Sequence, residues 1–83
     1  MNDKIHIGKL IKQKMKKDGR TDTWLAEQLG CVKSNISDIY DRQSIDTDLL
    51  SRICIYLEVD YLILYSEYIK EQIQKKNNKM IIV

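Results

Sequence analysis

Apolar residues recur along this chain at intervals of three and four, and β-branched alternation is absent from its first 75 residues. That period is the signature of helices with one buried face, so the pattern predicts an all-α protein. Ile7, Leu10, Ile11 and Met15 define a first helix over Lys4–Lys17, with Lys9, Lys12, Lys16 and Lys17 elsewhere around it. Asp18-Gly19-Arg20 interrupts it, glycine being the residue that most readily takes the left-handed turn ending a helix. Trp24, Leu25, Ala26 and Leu29 mark a short second helix capped by Thr21 or Thr23, and Gly30-Cys31-Val32 ends it. Ile36, Ile39 and Tyr40 mark a third, followed by a polar connector from Asp41 to Ser44. Ser34 is the one nearby hydroxyl that can cap this helix, because Val32 stands where a Ser or Thr would serve better. Asp46 or Thr47 precedes a fourth helix carrying Leu49, Leu50, Ile53, Cys54 and Leu57, closed by Glu58-Val59-Asp60. Asp60 then caps a fifth, with Tyr61, Leu62, Leu64, Tyr65, Tyr68, Ile69 and Ile73.

The end of the chain breaks the pattern. Lys75 to Lys79 reads as a solvated linker or turn, and Met80 to Val83 as an apolar tail, either disordered or docked, for instance as a strand on a second copy. The expected organisation is one domain over residues 1–73 and a basic linker with a short tail over 74–83. At 83 residues the chain has material for one modest core. No stretch is long and apolar enough for a membrane span and the N-terminus lacks a signal-peptide pattern, which points to the cytoplasm.

Charge adds a constraint. The net value is only +2, but residues 1–20 carry +5, residues 21–68 carry −6 and residues 69–83 carry +3. Basic ends suit a polyanionic partner, and the acidic middle restricts how it docks. Cys31 and Cys54 with the single histidine, His6, are too few for a zinc site, and both thiols read as reduced, small apolar side chains. His6 is given no role. No cofactor or metal is expected. A glycine-rich phosphate loop and a nucleophile with a base beside it are both missing, so the chain does not read as an enzyme and no small-molecule substrate is expected.

Residues 22–41 carry the informative motif. Two short helices crossing through a tight turn need a small residue at the crossing, a residue tolerant of positive φ in the turn, and apolar residues three apart on the inner face of the second helix. Ala26, Gly30, and Ile36 with Ile39 meet these demands. Through Thr23-Trp24-Leu25-Ala26-Glu27-Gln28-Leu29-Gly30-Cys31 and Asn35-Ile36, the chain resembles the Xre/Cro-like (lambda-repressor-like) helix-turn-helix family of DNA-binding regulators. The likeness extends over roughly residues 5–68, with Ile5 to Ile11 similar to that family's first helix and Ser44 to Ile53 to its loop and fourth helix. It implies a compact five-helix DNA-binding domain, with the helix-turn-helix at the second and third helices, that docks on operator DNA as a homodimer.

On that resemblance the outward side of the third helix reads bases in the major groove. The candidates are Val32, Lys33, Ser34, Asn35, Ser37 and Asp38. Lysine suits guanine O6 and N7, the hydroxyls bases or phosphates, asparagine adenine, and valine the thymine methyl. Phosphate contacts fall to Lys9, Lys12, Lys16, Arg20, Thr23 and Arg42, with the first amides of the second helix near Thr23. Trp24 reads as a packing anchor. Tyr61, Leu64, Tyr65 and Tyr68 are core and rim of the fifth helix or, in the sharper reading, a dimer interface. Asp38 and Asp41 depart from the expected pattern, since a carboxylate facing phosphate is repulsive unless it accepts from cytosine or pairs with a cation such as Arg42. They motivate a second reading, a protein-interaction module on the same scaffold using the acidic third helix and the tyrosine-bearing fifth.

Overall fold

The computed structural model describes residues 5–82, with side chains through Asn77. Five helices follow in order: α1 (Ile7–Lys17), α2 (Asp22–Leu29), α3 (Lys33–Asp41), α4 (Thr47–Leu57) and α5 (Leu62–Ile82). There is no strand among the described residues, and none of their helices is long and apolar enough to cross a membrane.

Local chemistry sets most of the boundaries. Thr21 Oγ1 accepts from the Trp24 amide at 3.0 Å and Asp46 Oδ1 from the Leu49 amide at 2.8 Å, deciding both caps that the sequence leaves open. Asp60 Oδ1 accepts from the amides of Leu62 and Ile63, as expected. Gly19 and Gly30 take the left-handed conformation, at φ 67° and 72°. His6 does have a role: its Nδ1 accepts from the Lys9 amide at 3.1 Å and caps α1. α3 begins without any side-chain cap, Ser34 lying inside the helix while exposed Val32 holds the cap position.

Twelve apolar residues form the core: Ile7, Ile11 and Met15 of α1, Leu25, Ala26 and Leu29 of α2, Ile36 and Ile39 of α3, and Leu50, Ile53, Cys54 and Leu57 of α4. No polar side chain is buried among them. Cys31 is half-buried, Cys54 buried, and both are free thiols.

α1 and α3 meet at Gly8. The amides of Ile7 and Gly8 donate to the carbonyls of Gln43 and Arg42, each at 2.9 Å, so the open N-terminus of α1 satisfies the chain leaving α3. A β-carbon on Gly8 would overlap the Tyr40 carbonyl oxygen and lie 2.5 Å from that of Ile39.

α5 differs from the expected short helix and linker. It continues through residues 74–82 as helix, and from Ser66 to Asn77 every side chain is exposed. The sequence signals a linker there because the apolar period gives way to lysine and asparagine, yet none of those residues forbids helix. Twenty-one residues span about 31 Å at 1.5 Å per residue, which accounts for a molecule 54 Å long and 22 Å across. Residues 80–82 are therefore helix and not the strand that the sequence offers for the tail; Val83, residues 1–4 and the side chains of 78–82 lie outside the described residues, and so does any docking of the tail.

Candidate nucleic-acid interface

α2 ends on Gly30, whose left-handed turn lets the Cys31 amide return to the Ala26 carbonyl at 3.0 Å. After Cys31 and Val32 the chain enters α3 with Ile36 fully buried and Ile39 nearly so. Ala26, only 4% exposed, is small enough for α3 to pack closely there. Two further bonds fix the pair. Tyr40 donates its hydroxyl to Asp22 Oδ1 at 2.8 Å, tying the last turn of α3 to the first turn of α2. From α4, Arg52 Nη2 donates to the Leu29 carbonyl at 3.1 Å, satisfying the C-terminus of α2.

With Ile36 and Ile39 inside, the residues read as base-facing are all exposed: Val32, Lys33, Ser34, Asn35, Ser37 and Asp38. Steps of about 100° put Ser34, Asp38 and Asp41 on the outermost line of α3, with Lys33 and Ser37 on the flank nearer Tyr40. Asn35 lies on the other flank. There Asn35, Asp38 and Arg42 line a shallow cavity of about 300 Å³ with Leu49 and Arg52 of α4. Asp38 thus shares one cavity lining with Arg42 and Arg52, and the one ion pair among the described residues is Lys14 with Asp18, at 3.2 Å. Asp41 is exposed as well, so the outer line of α3 carries an acid at its C-terminal end.

No protein-family model, curated protein or solved structure matches this chain.

The residues read as phosphate contacts, Lys9, Lys12, Lys16, Arg20, Thr23 and Arg42, are all exposed. The fold brings several of them toward the two-helix unit. Lys9 directly follows Gly8, at the contact with the α3–α4 connection. The Lys12 ammonium lies 5.9 Å from the centroid of the Tyr40 ring, and the Arg20 guanidinium 4.1 Å from that of Trp24. Arg20 thus stacks beside the N-terminus of α2, next to the Thr21 cap and Thr23. Lys16 is further off, eight residues or about 12 Å along α1 from the Gly8 crossing.

Burial, followed by the hydrogen bond to and negative charge of Asp22, holds the Tyr40 phenol well above its ordinary range, so it stays a neutral donor. Tyr61 and Tyr65 are also raised, mainly by burial. Of the four residues offered as a dimer interface, Tyr61, Leu64 and Tyr65 are half-buried, and the Tyr61 hydroxyl donates to the Leu10 carbonyl at 3.0 Å. Tyr68 alone is exposed, at 42%.

The sequence reading omits Arg52 and Gly8, one bracing α2 and the other setting α1 against α3. An isolated glycine inside a helical pattern is a signal of close packing that could have flagged Gly8. Arg52 carries no such signal, because only the fold brings it to Leu29.

Proposed function

We propose that this chain is a cytoplasmic, sequence-specific double-stranded DNA-binding regulator, repressor-like, of the Xre/Cro-like helix-turn-helix type. In this reading α3 enters the major groove and two copies bind successive half-sites about one helical turn apart. The observation that carries it is the α2–Gly30–α3 crossing, which buries Ile36 and Ile39 and leaves a continuous hydrogen-bonding face on α3 exposed. Lys12 and Arg20, held by aromatic rings beside this unit, supply cations for the phosphates.

The test is enrichment from a random duplex library at low salt, then titration of the selected site with Lys33→Ala and Ser37→Ala. Each variant is expected to bind several-fold more weakly, and affinity to fall steeply as salt rises. No enrichment sinks the proposal; full-strength binding by both variants removes α3 from the role.

The exposed carboxylates of Asp38 and Asp41 favour a second reading, an interaction module for a cationic protein surface. Asp38→Lys combined with Asp41→Lys separates the two. DNA binding strengthens if α3 approaches phosphate, whereas a protein partner supplying cations is lost.

A further inference from the structure

Charged and apolar groups from three helices converge on the flank of α3 nearest α4. The polar lining of the cavity there is Asn35 and Asp38 of α3, Arg42 just beyond it, and Arg52 of α4. Its apolar wall is Leu29 of α2, Ile39 of α3 and Leu49 of α4. The space, about 300 Å³, stands at the small end of the roughly 300–1,000 Å³ usual for ligand pockets. At about 30 Å³ for each water-sized group it suits a molecule of about ten heavy atoms. Neither guanidinium has an ion-pair partner among the described residues. Arg52 commits one Nη2 donor to the Leu29 carbonyl, which holds the guanidinium at the cavity and leaves further N–H groups to offer.

The lining carries two positive groups and one negative one, and each kind of occupant leaves a different remainder. A neutral apolar molecule would desolvate all three charges without pairing any. A simple carboxylate suits the guanidiniums but adds its charge to that of Asp38, and a simple amine suits Asp38 but adds a third cation to two others. A molecule bearing both groups meets the whole set. Its carboxylate goes to Arg42 and Arg52, its ammonium to Asp38 and the Asn35 side-chain oxygen, and its apolar body to Leu29, Ile39 and Leu49.

We infer that this cavity binds an apolar α-amino acid, and that the amino acid and DNA exclude each other. Asn35 and Asp38 lie in the face read as base-contacting, and Arg42 among the phosphate contacts. A molecule held by all three withdraws them from a duplex. Linkage then requires DNA to weaken amino-acid binding by the same factor. The exclusion rests on the proposed function; the cavity's ligand does not.

The test titrates the full chain, without DNA, with L-leucine, L-methionine and L-phenylalanine at millimolar concentration and follows backbone amides by NMR. At least one of the three is expected to give saturable shifts clustered at Asn35, Asp38, Arg42, Leu49 and Arg52. The deaminated acid and the decarboxylated amine of that ligand should each bind about tenfold more weakly or worse. Arg42→Gln should weaken the amino acid by a similar factor. Asp38→Asn should weaken the amino acid yet strengthen the deaminated acid, a reversal that general loss of structure would not produce. Both side chains are exposed, so melting of each variant checks that the fold survives. Absence of shifts with all three amino acids, shifts centred elsewhere, or equal binding of the deaminated acid overturns the assignment. Saturating amino acid should lower affinity for the selected duplex several-fold, and an affinity that does not move overturns the exclusion. Amino-acid binding by a protein that selects no DNA sinks the proposed function and leaves the cavity's ligand standing. Selection of DNA by a protein that ignores all three amino acids sinks only this inference.

Discussion

Replacing Gly8 with alanine sets two physical effects against each other. Helix propensity favours the substitution, because alanine in a helix is better than glycine by about 0.5–1 kcal/mol. Packing opposes it. The added methyl would overlap the Tyr40 carbonyl oxygen and sit 2.5 Å from that of Ile39, both backbone atoms that no rotamer change can move. Restoring ordinary contact requires α1 to retreat from α3 by about 1 Å. Overpacking of this kind costs about 1–3 kcal/mol. The retreat also stretches the 2.9 Å bonds from the amides of Ile7 and Gly8 to Gln43 and Arg42, each contributing about 0.5–1.5 kcal/mol. The net expectation is a loss of about 2–4 kcal/mol, a large part of the roughly 4–12 kcal/mol usual for a domain of this size. At about 4–8 °C per kcal/mol, melting followed by circular dichroism should fall by about 8 °C or more. Gly19→Ala is the control, since its β-carbon meets nothing within 4 Å and its cost comes from positive φ alone, about 1 kcal/mol. A Gly8→Ala protein that melts at or above the wild-type temperature would refute the reasoning, for propensity would then outweigh the contact.

Two other outcomes follow from single sites. Val32→Thr should supply the missing cap of α3 and raise stability by about 1 kcal/mol in urea denaturation. Unchanged stability would mean that the first amides of α3 are adequately satisfied by water. Tyr40 gives a pH signature. Its folded pKa is raised above the unfolded value of about 10, so the stabilisation is fully present below pH 10 and is lost as pH rises through the folded pKa. Stability should therefore decline from about pH 10 upward, and less steeply in Tyr40→Phe; identical alkaline slopes would remove Tyr40 from the account.

Much of the fold was legible because its signals are local. The apolar period and the cap residues depend on neighbours within a turn or two, and these located five helices and the cap at Asp60, and narrowed that of α4 to Asp46 or Thr47. The same locality explains the errors. Lys75 to Lys79 lack an apolar period and read as linker, yet α5 continues through them. His6 carries no cap signal in the sequence, yet one hydrogen bond makes it the cap of α1. Among the candidate site residues, exposure of the α3 face followed directly from Ile36 and Ile39 being inside. The company each residue keeps did not. Asp38 shares a cavity with Arg42 and Arg52, Lys12 lies against Tyr40, and Tyr61 is bonded to α1 instead of open for a partner.

The sequence by itself determined the helical period, the two left-handed glycines and the polar outer face of α3, because each is set by residues a few positions apart. Only the tertiary structure decided that Gly8 must lack a side chain, that Arg52 braces α2, and that half of α5 stands clear of the body. Those features depend on where separate helices meet. That placement follows from how twelve apolar side chains share one core, and no local stretch of the chain encodes it.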